Sequence, residues 1–232
     1  MQKKMVTLAL GTALALAGSG AYAGNAGPND FRLGMYFVHF DAHADNISGP
    51  YVPSSLGLNV HVNDVETLYV AYVRELSRHL QVELAFGYPP LTKSEGRGPA
   101  KVGSVPYNGQ VISTTRWLSP SLLMEYVFGS PGSRLRPYVG VGVNYTKFFA
   151  RQSTAAGNAA SGGPTSISLP AAVGPAATVG LSYAVNDRWH VYASYSVAQV
   201  NTKLTADTAG LLRTSEVHFW PNAFVLSAGY SF

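Results

Sequence analysis

Apolar and polar residues alternate along most of this chain with a period of two. That is the spacing of a β-strand, whose successive side chains point to opposite faces. The pattern is cleanest at Leu80–Tyr88, where Leu80, Val82, Leu84, Phe86 and Tyr88 form one face and Gln81, Glu83, Ala85 and Gly87 the other. It returns at the end of the chain, where Phe224, Leu226, Ala228, Tyr230 and Phe232 alternate with small or weakly polar residues. Read throughout, the alternation predicts strands at Phe31–Phe40, about Asp64–Arg74, Leu80–Tyr88 and about Ile112–Phe128. Four more follow at Arg136–Phe149, about Ala171–Val185, about Trp189–Thr202 and about Thr214–Phe232. Short turns (Glu75–His79, Gly129–Arg134, Asn186–Arg188) follow the second, fourth and sixth strands, and longer loops follow the odd-numbered ones.

Composition decides what such a sheet faces. Only 12% of residues are charged, about half the ~25% usual in soluble proteins, which argues against a soluble sandwich or a lipocalin. Fourteen tyrosines and 24 glycines accompany that scarcity. Little charge, an apolar outer face and aromatic edges suit strands in contact with lipid. Lys3 and Lys4 precede an apolar run, Met5–Ala17, and Ala21-Tyr22-Ala23 offers a cleavage site. Residues 1–23 therefore read as a secretory signal peptide, too short in its apolar run to span a bilayer. The expected architecture is all-β: an eight-stranded antiparallel transmembrane β-barrel over residues 24–232. An even strand number with alternating short turns and long loops places it in a bacterial outer membrane. Removing Lys3 and Lys4 from the sixteen basic residues leaves fourteen against twelve acidic ones, a balance that argues against nucleic acid. The absence of cysteine excludes disulfides and thiolate sites.

Candidate chemistry lies on a few positions. The first strand is apolar on both faces, so one must line the interior, and Leu33, Met35 and Phe37 are the expected apolar lining. Glu83 and Glu125 fall on inward faces, because a charge facing lipid costs kilocalories. They read either as filler of a narrow lumen or as an acid–base pair, and a glycosidase would need a sugar-sized cleft around them. His39, Asp41, His43 and Asp45 share one face of an extended segment. They read either as a divalent-metal site or as a solvated rim, and spacing alone fixes no coordination geometry. No catalytic or cofactor-binding residue is assigned. Pro89 and Pro90 end the third strand and Pro120 lies high on the fourth. With Leu80 level with Phe128, these prolines face one another across a hairpin where proline cannot donate to the ladder. That spot reads as a lateral exit toward lipid or as an ordinary strand end.

The segments RPYVGVGVNYTKFF (Arg136–Phe149), LSPSLLMEYVFG (Leu118–Gly129), NDRW (Asn186–Trp189) and the ending SAGYSF carry a resemblance to the OmpW family, including AlkL-type uptake proteins. The resemblance implies an eight-stranded barrel whose hydrophobic lumen passes small apolar molecules. The C-terminal strand also resembles the signal by which the barrel-assembly machinery recognises its clients. The resulting expectation is a monomeric, non-enzymatic barrel, in contact with outer-membrane lipids, for passive passage of small hydrophobic solutes. The alternatives are a structural, adhesion or receptor barrel without transport, and a lipid-modifying enzyme carrying a nucleophile–base pair at its mouth.

Overall fold

In the computed structural model, residues 27–232 are described, apart from 51, 53, 103 and 104. The expected signal peptide lies outside the described residues. In chain order the strands are β1 (Asn29–Ala44), β2 (Asn59–Val62), β3 (Val65–Glu75), β4 (Leu80–Gly87) and β5 (Leu91–Arg97). The small pair β6 (Lys101–Val102) and β7 (Val105–Pro106) precedes β8 (Val111–Leu118), β9 (Ser121–Val127) and β10 (Leu135–Ser153). A short helix, α1 (Ala155–Ser161), leads to β11 (Thr165–Ser168) and β12 (Ala172–Ala184). The chain ends with β13 (Trp189–Ala198), β14 (Val200–Thr208) and β15 (Leu211–Ser231).

Eight of these close a ring: β1 pairs β3, then β4, β9, β10, β12, β13 and β15 follow, and β15 returns to β1. The seam runs from Asp30↔Ser231 to Ala44↔Val217. It is locked below by Asn29 N–H to the Phe232 carbonyl (3.2 Å) and by Phe232 N–H to the Asn29 carbonyl (2.9 Å). Closure pairs the first strand with the last, so neither presents an open edge to hydrocarbon, where an unpaired peptide group costs several kilocalories. No helix among the described residues is long and apolar enough to cross a membrane.

The long stretches expected as loops are partly structured. β2, β5 and β8 extend the wall upward on one side, and β14, β11 and the upper part of β15 extend it on the other. Within 150–168, Thr154 caps α1 by accepting from Gly157 N–H, and Gly162 ends the helix at φ 86°. Only glycine adopts that φ without penalty.

The burial pattern is inverted relative to a soluble protein. Val141, Val173 and Leu226 are exposed on the outer wall, whereas Arg32 and Glu125 are among the most buried side chains. This corrects one expectation: Leu33 and Phe37, with Met35 on the same face, lie on the outer wall and not in the lumen, Leu33 being 52% exposed. The inward positions on β1 include Asp30, Arg32, Tyr36, Val38 and Phe40. Arg32 fixes that parity, because its charge has no partner in lipid and three carboxyls within the barrel.

Candidate functional site: a lumen in two parts

Glu83 and Glu125 both lie inside the barrel, in its lower half. Arg32 Nη1 donates to Glu83 Oε2 at 2.6 Å and Arg32 Nε to Asp30 Oδ2 at 3.0 Å. The Tyr69 hydroxyl donates to Glu83 Oε1 (2.9 Å), that of Tyr192 to Asp30 Oδ2 (2.7 Å), and Gln81 Nε2 to Glu125 Oε2 (2.6 Å). The Arg32 guanidinium also lies 3.8 Å from the Tyr192 ring centroid and 5.7 Å from that of Tyr138. One cation thus pairs with two carboxylates and lies against two aromatic rings, which compensates its removal from water. Asp30 Oδ1 and Glu125 Oε1 are buried with no hydrogen-bond partner among the described residues. Space for the rings comes from glycine. A Cβ on Gly180 would sit 2.3 Å from the Tyr138 ring, and one on Gly229 2.7 Å from the Tyr192 ring. Below this plug a polar vestibule of about 470 Å³ opens between the short turns.

Above Glu83 the lining changes. A cavity of about 130 Å³ runs up from Glu83, Tyr36 and Tyr69 past Ala85, Leu123 and Val225. At its top, Phe40 meets Trp117 and Phe219 edge-on, with centroids 5.8 and 6.2 Å apart. A neck of about 40 Å³ continues from it, sharing Val62, Leu169 and Phe219 with the cavity below. The neck shares Val60, Ile167 and Leu204 with a third cavity of about 140 Å³ in the extracellular head. Three mainly apolar spaces are therefore stacked on the barrel axis, and the plug stands at their foot. Of these linings, Glu83 and the residues that alternate with it, Ala85 and Gly87, were legible in the sequence; Phe40 and Phe219 alternate like their neighbours and gave no further signal.

The three prolines stand at a break in the wall. The β4–β9 ladder ends at Ala85↔Ser121, and pairing resumes only at Leu91↔Arg116 between β5 and β8. Between these points Phe86–Pro90 and Trp117–Pro120 form no ladder pair with each other, although Phe86 and Gly87 stay paired to β3 and Trp117 and Leu118 to β10. The observed register is Leu80↔Tyr126, two residues from the expected Leu80–Phe128 level, so Pro120 lies level with Phe86 and not with Tyr88. Side chains substitute for the missing ladder. Arg116 Nη1 donates to the Pro89 carbonyl (2.8 Å), the Thr67 hydroxyl to the Tyr88 carbonyl (2.6 Å), and Trp117 Nε1 to Thr92 Oγ1 (2.8 Å). On the β10 side, Asn144 Nδ2 donates to Ser119 Oγ (2.8 Å) and Ser121 Oγ (2.9 Å), bracing the chain around Pro120.

The histidine–aspartate segment does not assemble a metal centre among the described residues, where no group of three or more His, Asp or Glu is placed to hold an ion. His39 Nδ1 instead lies 2.8 Å from Asp64 Oδ2, both exposed at the rim. Slight desolvation raises the Asp64 carboxyl, but hydrogen bonds from His39 and the Phe40 N–H outweigh it and hold the group below the usual carboxylate range. The side chains of Asp41 and His43 lie outside the described ones.

Comparison with known proteins agrees with this geometry. The chain is 30% identical over 230 residues to "Outer membrane protein W" of Escherichia coli K12, covering 99% of this chain and all of the relative. It is 28% identical over 193 residues to the "Dibenzothiophene metabolism operon protein PahQ" of Pseudomonas aeruginosa, covering 82% of this chain and 79% of the relative. The crystal structure of the outer membrane protein OprG from Pseudomonas aeruginosa superposes with a TM-score of 0.78 at 21% identity, covering 90% of this chain and 98% of that one. The model of the OmpW family matches residues 25–232. A closed eight-stranded barrel with an apolar outer wall, matched over nearly its whole length by that family, is an outer-membrane protein that belongs to the OmpW family.

Proposed function

We propose that the barrel passes small hydrophobic molecules across the outer membrane without an energy source, and that they leave sideways at the ladder break. The observation that carries this reading is the stack of apolar cavities ending on a buried, charged plug. An apolar solute gains roughly 25 cal/mol per Å² on leaving water for such a lining, yet would have to displace the Arg32–Glu83 pair to continue downward. A lateral path at Phe86–Pro90 avoids the plug, and prolines lower the cost of a gap because they have no N–H to leave unpaired. The operon named for the PahQ relative concerns metabolism of an apolar aromatic compound, which supports an apolar cargo. Against a structural or adhesion role stands the column itself, since a barrel serving only as a scaffold has no use for an apolar interior void.

The test is uptake into liposomes of an apolar and a polar solute of similar size, with cysteines introduced by Gly87→Cys and Ser119→Cys. Both positions line the cavity above Glu83, beside the break. Selective passage of the apolar solute, lost on oxidation and regained on reduction, supports the whole reading. No preference for the apolar solute removes the proposed function. Equal uptake with the crosslink shown to have formed removes the lateral exit alone.

A further inference from the structure

On the lipid-facing wall, beside and above the ladder break, three cations lie on adjacent strands without an acidic partner. Alternation along each strand fixes their direction. Thr92 and Ser94 line the lumen beside Lys93, Thr115 and Trp117 beside Arg116, and Thr146 and Phe148 beside Lys147. Lys93 and Lys147 are accordingly exposed and Arg116 half-buried on the outside. The ladder places them on adjacent strands: Arg116 lies opposite Leu91 on β5 and Phe149 on β10, and Lys93 and Lys147 are each one diagonal step away. Diagonal neighbours in antiparallel sheets stand roughly 7–8 Å apart, within reach of one multivalent anion for side chains this long.

Their height is equally specific. On β10 the lipid-facing series runs Val139, Val141, Val143, Tyr145 and then Lys147; on the opposite side Phe86 and Tyr88 precede Leu91 and Lys93. Aromatic residues mark the boundary of the hydrocarbon; Lys147 lies one row beyond Tyr145, with Arg116 and Lys93 in the next two rows outward, so the three rise from that boundary into the level of lipid headgroups. None of the three forms an ion pair with a described residue. Glu95, two residues beyond Lys93, is held by Asn63 Nδ2 (2.9 Å) and Arg97 (3.6 Å). Arg116 uses Nη1 on the Pro89 carbonyl, and its other N–H groups bond no described residue. Other sectors differ at this height. The outer wall of β1 and β3 carries exposed Glu66 and the His39–Asp64 pair, and on β14–β15 Lys203 is neutralised by Glu216 at 3.1 Å.

We propose that Lys93, Arg116 and Lys147 bind a phosphate of an outer-leaflet glycolipid, seating its headgroup over the break at Pro89–Pro90. A guanidinium offers a planar fork to phosphate oxygens and the two ammoniums supply charge from either side. The acyl chains of the same lipid then cover the apolar surface of Tyr88 and Leu91 below. The site stands on the outer wall and is independent of whether solutes pass through the lumen.

The test uses the purified full barrel in zwitterionic detergent, with lipid binding read by native mass spectrometry. Three probes are compared: bisphosphorylated lipid A, the same lipid dephosphorylated, and inorganic phosphate. Wild type should bind the phosphorylated lipid at least tenfold more tightly than the dephosphorylated one, less so at high salt. Lys93→Gln with Lys147→Gln should weaken that binding by roughly thirtyfold, from the attraction typical of two cations near an anionic headgroup. Both side chains are exposed, so the barrel should keep its fold, checked by circular dichroism. Lys93→Arg with Lys147→Arg should retain binding. Equal affinity for the two lipids, or an unchanged affinity in the glutamine variant, would overturn the site. Displacement of the lipid by inorganic phosphate at equal concentration would overturn the assignment to a headgroup.

Discussion

The lower and upper halves of the lumen are enclosed by the same eight strands, yet one is full and the other is not. In the lower half, Arg32, Tyr69 and Tyr192 join Asp30 and Glu83 in one hydrogen-bonded cluster, with the Tyr138 ring and the Gln81–Glu125 pair packed in the same plug. In the upper half, the inward positions of the same strands carry Ala85, Ser121, Ala176 and Val225, and a void remains between them. An eight-stranded barrel is only just wide enough for its side chains, so the size of the inward residues decides whether it is a plug or a passage. The strand number sets the diameter, and residue size at a handful of positions sets the bore.

That contrast can be broken from either side. The largest effect is expected at Arg32: Arg32→Met leaves the buried Asp30 and Glu83 carboxylates without their cation and should destabilise the barrel by about 3–5 kcal/mol, read as a lower urea midpoint in lipid. Adding Glu83→Gln should recover part of the loss, since paired substitutions within one network are not additive. Next comes the outer face as a control. Met35→Arg, on the face shared with Leu33 and Phe37, should cost about 2–4 kcal/mol if it lies near the midplane. It should leave passage through any correctly assembled molecules unchanged. An inward substitution on the same strand behaves in the opposite way: Phe40→Asp puts a charge where Phe40 meets Trp117 and Phe219. It should reduce liposomal uptake of an apolar solute about tenfold while shifting the unfolding midpoint little, because the site adjoins the open head.

The smallest effect belongs to the rim. The Asp64 carboxyl is held below its ordinary range in the folded protein, so its contribution is present above the unfolded value and fades as pH falls through the lowered folded one. Both partners are largely exposed, and Asp64→Asn should change stability by less than about 1 kcal/mol. A comparison of wild-type and Asp64→Asn unfolding midpoints between neutral and acidic pH checks this. A difference should be seen at neutral pH and vanish in acid.

The sequence by itself determined the barrel. Period-two alternation with so little charge leaves few folds other than a lipid-embedded sheet, and the spacing of turns sets eight strands and their orientation. It also determined the inward direction of Glu83 and Glu125, because a carboxylate facing hydrocarbon costs too much to tolerate. The same reasoning applied to Arg32 would have turned Leu33, Met35 and Phe37 outward. Within Phe31–Phe40 both faces look apolar, and the charge of Arg32 is what distinguishes them. Only the tertiary structure decided the rest. A two-residue difference in register sets which prolines share a level, and alternation is blind to such an even shift because it leaves every side chain on its own face. The plug, the column and the outer cation cluster each join residues from strands far apart in sequence, such as Asp30 with Tyr192 and Lys93 with Lys147. Their meeting depends on barrel closure and shear, which no local pattern encodes.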